Sequence, residues 1–172
     1  MSPTVRGKTN IRGVDMYRPE PSIDRNDNAR DLQVLVVDDN PADARLVAEA
    51  FDECRFPHHL YTVRDGLEAI AFIAKIEQFE NVPRPDLVIM DLQMPGVDGY
   101  GVLAAIKRTK EFHSIPVVMF SSSDRPEDVK KAYDLNANCY VVKPLEFNGF
   151  VGVICSLATF WSQTATLPKS AP

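Results

Sequence analysis

The sequence predicts a doubly wound α/β fold: a five-stranded parallel sheet with helices on both faces, preceded by an N-terminal extension. Two observations carry this. Short apolar runs rich in β-branched residues alternate five times with stretches whose apolar residues recur every three to four positions. The runs are apolar along their whole length, as strands covered on both faces are.

The first strand is the run 32–37. Asn40-Pro41 then supplies a cap and a first-turn proline for a helix with Ala44, Leu46, Val47, Ala50 and Phe51 inward. Residues 60–63 form the second strand. Asp65-Gly66 opens a second helix with Leu67, Ile70, Ala71, Phe72, Ala74 and Ile76 on its apolar side. After the break at Pro83-Arg84-Pro85, residues 86–91 form the third strand, and residues 99–107 a helix with Val102, Leu103 and Ile106 inward. Residues 116–121 form the fourth strand. A short helix over 126–135 takes Asp124 as its cap. Residues 139–142 form the fifth strand, and residues 146–161 the last helix. Residues 1–30 hold prolines, glycines and polar residues without periodicity, and read as an arm or a disordered tail. The division is therefore an extension over 1–30, one domain over 31–163 and a tail over 164–172.

Composition narrows the function. A net charge of -5 is wrong for a nucleic-acid footprint, which needs a basic face. No apolar run reaches the roughly 18 residues of a membrane helix, and no signal core opens the chain, so the expected location is the cytoplasm. Cys54, Cys139 and Cys155 are far apart and odd in number, which suggests reduced packing thiols. His58, His59 and His113 read as surface residues in loops or helix ends.

The chemistry lies in the polar residues at the strand ends. Strand one ends in Asp38-Asp39, strand three in Asp91, strand four in Ser121-Ser122-Ser123, and strand five in Lys143-Pro144. Right-handed crossovers would gather all of these on one sheet edge, where open α/β sheets bind ligands. Three clustered carboxylates repel, by about 4 kcal/mol per pair at 4 Å and an effective dielectric near 20. One lysine offsets part of this, and a hard divalent cation such as Mg²⁺ offsets more. An aspartate beside such a cation can act as a nucleophile toward phosphorus.

Four stretches together resemble the receiver domain of bacterial two-component response regulators. They are Val36-Val37-Asp38-Asp39-Asn40, Met90-Asp91-Leu92-Gln93-Met94-Pro95-Gly96, Val117-Val118-Met119-Phe120-Ser121-Ser122 and Cys139-Tyr140-Val141-Val142-Lys143-Pro144. The resemblance runs from about Leu32 to Trp161. It implies the flavodoxin-like strand order 2-1-3-4-5. It also implies that Asp91 is the phosphoacceptor and that Asp38, Asp39, Asp91 and the backbone carbonyl of Gln93 hold Mg²⁺ or Mn²⁺. Ser121 and Lys143 would meet the phosphoryl group, Tyr140 would be the aromatic switch, and Pro144 would follow Lys143 through a cis peptide bond. Taken singly, Asp39 could instead cap a helix, and Lys143 and Tyr140 could be ordinary strand residues. Asn136 stands where the family usually has glycine, and asparagine tolerates the left-handed turn.

The stretch 79–85, longer than in minimal receivers, and the late Phe160-Trp161 resemble a narrower group: stand-alone regulators paired with phytochrome-type histidine kinases. That group implies a sensor histidine kinase or a histidine phosphotransfer protein as partner, and a homodimer. Val151, Val153, Ile154, Leu157, Phe160 and Trp161 on the last helix exceed what one buried face needs, which suggests the same interface. The short tail leaves no room for an output domain, so the expected output is protein contact or phosphate relay. Two other readings compete. A receiver that never carries phosphate would not need the full acidic set. A haloacid-type hydrolase wants D-x-D at its nucleophile, and here Gln93 follows Asp91-Leu92.

Overall fold

The computed structural model describes residues 8–11, 14–17, 31–54 and 56–168. Its elements run β1 (Lys8–Ile11), β2 (Val14–Tyr17), β3 (Leu32–Val37), α1 (Pro41–Glu53), β4 (His58–Val63), α2 (Gly66–Ala74), β5 (Leu87–Met90), α3 (Gly99–Arg108), β6 (Val117–Ser121), α4 (Pro126–Asp134), β7 (Cys139–Val142) and α5 (Phe147–Thr159). A 3-10 turn spans Glu77–Phe79, and a π-helical turn, Phe160–Thr164, ends the last helix.

The strands form one sheet in the order β1-β2-β4-β3-β5-β6-β7. From β4 to β7 all pairings are parallel, which is the 2-1-3-4-5 arrangement expected of a five-stranded doubly wound sheet. The extension adds to it. β1 and β2 form an antiparallel ribbon, and β2 pairs antiparallel with β4, Asp15 opposite Thr62 and Tyr17 opposite Leu60. Part of the extension is thus sheet, a role its lack of an apolar run did not advertise. Residues 18–30 of the extension and 169–172 of the tail lie outside the described residues.

Side-chain alternation along the strands divides the core in two. Leu35, Val37, Val88, Met90, Val117 and Met119 pack on one face with Phe72 of α2, Leu103 and Ile106 of α3 and Ala132 of α4. Val34, Val36, Leu87, Ile89, Val118 and Phe120 pack on the other with Val47 and Phe51 of α1 and Phe150 and Ile154 of α5.

Helix starts follow local chemistry. The side chain of Asn40 accepts from the Ala42 N–H at 3.0 Å, Asp65 accepts from Glu68 at 2.8 Å, and Asp98 accepts from Gly101 at 2.8 Å. Helix α2 stops at Lys75, which takes a left-handed conformation with φ 55°. It stops before Ile76, so Ile76 and also Leu67 are exposed, while Ala69, Ala71, Phe72 and Ile73 face inward. Helix α4 starts without Asp124: Arg125 is the cap residue, with no side-chain cap bond, and Pro126 opens the first turn. Asn136 is left-handed, φ 67°, as its turn requires.

Three further expectations are corrected. Among the described residues no peptide bond is cis, so Lys143–Pro144 is trans, the isomer favoured for X–Pro by about 0.5–1 kcal/mol. His58 is buried at the start of β4 between Phe51 and Phe56, with Nδ1 2.9 Å from the Phe56 carbonyl, and burial holds its pKa below 6.5. Cys54 and Cys155 are joined in a disulfide between the end of α1 and α5, their Cα atoms 5.2 Å apart, and Cys139 alone is a free thiol. Sequence distance hid this pair, because α1 and α5 lie side by side on one face of the sheet. The bridge closes a loop of 101 residues. Replacing both Cys54 and Cys155 with serine is expected to lower the unfolding free energy by about 2–4 kcal/mol, read from urea unfolding without reductant. Thiol titration of the denatured wild type is expected to find Cys139 alone.

Candidate functional site

The parallel strands end on one edge, and four of the predicted site residues meet there. Asp38 and Asp39 follow β3, and Asp91 follows β5, the neighbouring strand. Each offers a carboxylate oxygen, and these lie within 4.8 Å of one another. Lys143, following β7, reaches across the sheet end. Its Nζ lies 2.8 Å from Asp38 Oδ2 and 3.5 Å from Asp91 Oδ2. The first contact joins residues 105 positions apart. The backbone holds these groups still. The Asp91 N–H donates to the Val37 carbonyl at 2.9 Å, and the Lys143 N–H donates to the Ser121 carbonyl at 2.8 Å. Asp91 Oδ1 accepts from the Leu92 N–H at 2.7 Å, and Asp38 Oδ1 accepts from the Asn40 N–H at 2.9 Å. Gly99 packs its backbone against the Asp91 carbonyl so closely that no Cβ fits there.

Charge is unbalanced in this cluster. Burial pushes the Asp38 carboxyl above its usual range, the Lys143 ammonium pulls it back, and the charge of Asp91 adds to the rise. Burial likewise opposes the charge on Lys143, but the bonds to Asp38 and a further carboxylate, Asp43, outweigh it and hold the ammonium firmly protonated. One ammonium therefore faces a surplus of carboxylates. Hard oxygen donors at this spacing suit a divalent cation, and Asp38, Asp39 and Asp91 are the residues able to hold it. The side chain of Asp91 is 13% exposed, so its carboxylate oxygens are sheltered without being sealed. A groove of about 430 Å³ opens beside them, lined by Asp39, Gln93, Met94, Pro95, Tyr100 and Arg125 among others.

The family model for the response regulator receiver domain matches residues 34–154. The chain belongs to this family. Its similarity to "Response regulator Rcp1" of Synechocystis sp. is 39% identity over 137 residues, covering 80% of this chain and 93% of that one. Two crystal structures are similar over the same region. The phosphorylated cyanobacterial phytochrome response regulator RcpA has a TM-score of 0.78 at 39% identity, with 81% of this chain and all of that one covered. The Mn²⁺-bound form of Rcp1 has a TM-score of 0.76 at 38% identity, with 80% and 99% covered.

In this receiver the remaining predicted residues sit around the cluster in different ways. Ser121 ends β6 and is buried, its Oγ accepting from the Ser123 N–H at 3.3 Å. Tyr140 is half-buried against the core, and its hydroxyl donates to the Ser123 carbonyl at 2.9 Å. Both therefore meet the loop between β6 and α4. Gln93 is exposed on the loop after Asp91, beside Asp39 in the groove.

Two features were missed by sequence reasoning. The first is Asp43, whose carboxylate lies 2.8 Å from Lys143 Nζ. Its position on the first turn of α1, two residues after Pro41, was the available signal. The second is a network on Asp128. This buried carboxylate accepts from Ser123 Oγ at 2.5 Å, Arg125 Nε at 2.9 Å and the Tyr100 hydroxyl at 2.9 Å. The bond to Ser123 leads the causes that hold Asp128 below its usual range, and burial with the Asp128 contact pushes the Tyr100 hydroxyl far up. The loop after Ser121 is thereby tied to α3 and α4. The spacing Ser123-x-Arg125-x-x-Asp128 fits a helix start, but Tyr100 is 28 residues away.

The surplus of carboxylates makes Lys143 and a divalent cation partly interchangeable as counter-charges. Lys143→Met is expected to destabilise the receiver by about 3–5 kcal/mol without metal, because it leaves buried Asp38 without its partner. Millimolar Mg²⁺ is expected to recover more stability in the variant than in the wild type. Urea unfolding with chelator and with Mg²⁺ measures both.

Proposed function

We propose that this receiver takes a phosphoryl group onto Asp91 from the phosphohistidine of a sensor histidine kinase of the phytochrome type, and passes the signal on by protein contact. The observation that carries this reading is the convergence of Asp38, Asp39 and Asp91 within 4.8 Å, with the Lys143 ammonium opposite. The phytochrome pairing rests on the similarity to RcpA and Rcp1. A histidine phosphotransfer protein presents the same phosphoimidazole and would be an equivalent donor.

In this mechanism an Asp91 carboxylate oxygen bonds to phosphorus as the phosphorus–nitrogen bond of the donor breaks. The imidazole leaves with the electron pair and takes up a proton. Lys143, fixed as an ammonium, faces the developing charge on the phosphoryl oxygens. The Ser121 hydroxyl supplies a hydrogen bond to the same oxygens. A divalent cation, Mg²⁺ or Mn²⁺, would be held by Asp38, Asp39, Asp91 and the Gln93 carbonyl, and would neutralise phosphoryl charge. The receiver thus catalyses its own phosphorylation and dephosphorylation and turns over no separate substrate. Tyr140 reports the change, since its hydroxyl is bonded to the loop that Ser121 enters.

Output through a homodimer of the later elements is supported by the surface there. Tyr133 of α4, Val142 of β7, Leu145 before α5 and Phe147 at its start are each exposed. The end of the last helix contributes less than its composition suggests. Ile154 is buried, and Val151, Val153, Leu157 and Trp161 are partly buried on the core, leaving Phe160 exposed. No helix among the described residues is long and apolar enough to cross a membrane. A cytoplasmic site of action fits a kinase partner that draws on ATP.

With Mg²⁺ and acetyl phosphate or phosphoramidate, intact-mass measurement is expected to find one added phosphoryl group on the wild type and none on Asp91→Asn. Labelling that persists in Asp91→Asn would overturn the assignment. Light scattering is expected to give twice the chain mass, and Leu145→Asp with Phe147→Asp about the monomer mass. A wild-type monomer, with or without beryllofluoride, would refute the dimer.

A further inference from the structure

We propose that Asp43 is a positioning residue for phosphoryl transfer at Asp91, holding the Lys143 ammonium at the α1 side of the cluster; this rests on the function proposed above. The ammonium has three N–H groups. One points to Asp38 and one to Asp43, each at 2.8 Å, and Asp91 lies farther off at 3.5 Å. The side chain of Lys143 is 7% exposed and that of Asp43 30%, so the ammonium is sheltered from water while the Asp43 carboxylate reaches it from the surface.

Asp43 differs from the other two partners in what else is asked of it. Asp38 and Asp91 belong to the oxygen cluster suited to a divalent cation, and Asp43 does not. A cation in that cluster draws on Asp38. A phosphoryl group on Asp91 changes the third partner altogether. Asp43 is the acceptor that neither event claims. Its support is rigid: the Asn40 cap and Pro41 fix the first turn of α1, and Asp43 is the third residue of that helix. Without Asp43 the ammonium is left with Asp38 and Asp91. It would close on the Asp91 carboxylate, quench the oxygen that must attack phosphorus, and lose its fixed place for the phosphoryl oxygens.

The test compares full-length wild type, Asp43→Ala, Asp43→Asn and Asp91→Asn, with saturating Mg²⁺ and phosphoramidate as donor. Phosphorylation is followed by intact mass across donor concentrations. Asp43→Ala is expected to lower the maximal rate about tenfold, the scale of one charge-assisted hydrogen bond. The donor concentration at half-maximal rate is expected to stay within about twofold, because the donor does not contact Asp43. Asp43→Asn keeps an oxygen acceptor of the same shape and is expected to fall between. A maximal rate at the wild-type level in Asp43→Ala overturns the proposal. So does a loss seen only in the half-maximal concentration. Should Asp43→Ala alone lower the unfolding midpoint, Asp43→Asn carries the test, and a wild-type maximal rate there overturns the proposal. Failure of the wild type to label at Asp91 would instead remove the function on which the proposal rests.

Discussion

A buried ammonium among carboxylates from three separate elements governs the chemistry of this receiver. Lys143 follows β7, Asp38 follows β3, Asp91 follows β5 and Asp43 sits on α1. The charges on Lys143, Asp38 and Asp91 would each be costly alone in so sheltered a place. Together they are tolerable only at this geometry, which makes the sheet edge a position-sensitive device. Moving one strand end by an ångström would leave an ammonium or a carboxylate without its partner.

The cluster is also incomplete as a charge balance, and that incompleteness is useful. A site with matched charges would have no need of a cation and little affinity for a phosphoryl group. The surplus carboxylates supply the first. The proposed counter-charge for the second is the fixed lysine, held protonated by Asp38 and Asp43. The backbone keeps the arrangement from relaxing: Asp91 hangs from Val37, and Lys143 hangs from Ser121. The network on Asp128 continues this outward. Ser123, Arg125 and Tyr100 meet one carboxylate there, and Tyr140 meets Ser123, so the loop after Ser121 is bonded to α3, α4 and β7. The exposed apolar residues Tyr133, Val142 and Leu145 lie on or beside two of those elements.

The disulfide between Cys54 and Cys155 acts on the opposite face of the sheet from α3 and α4. It ties α1, which carries Asp43, to α5, which follows Lys143 in the chain. A covalent link between these two helices limits how far they can part.

The five parallel strands, their helices and the acidic edge can be read from the residues alone. Those depend on local periodicity and on the rule that parallel strands present their C-terminal ends together. Asp38, Asp39, Asp91 and Lys143 were legible because each directly follows a recognisable strand. The other features depend on neighbours distant in the chain. Asp43 lies 100 residues from Lys143, Cys54 lies 101 from Cys155, and Tyr100 lies 28 from Asp128. The burial of His58 and the pairing of β2 with β4 are of the same kind. Local patterns report which face of an element turns inward. They do not report which side chains from other elements are waiting there, because that is set by how the helices and strands pack across the sheet.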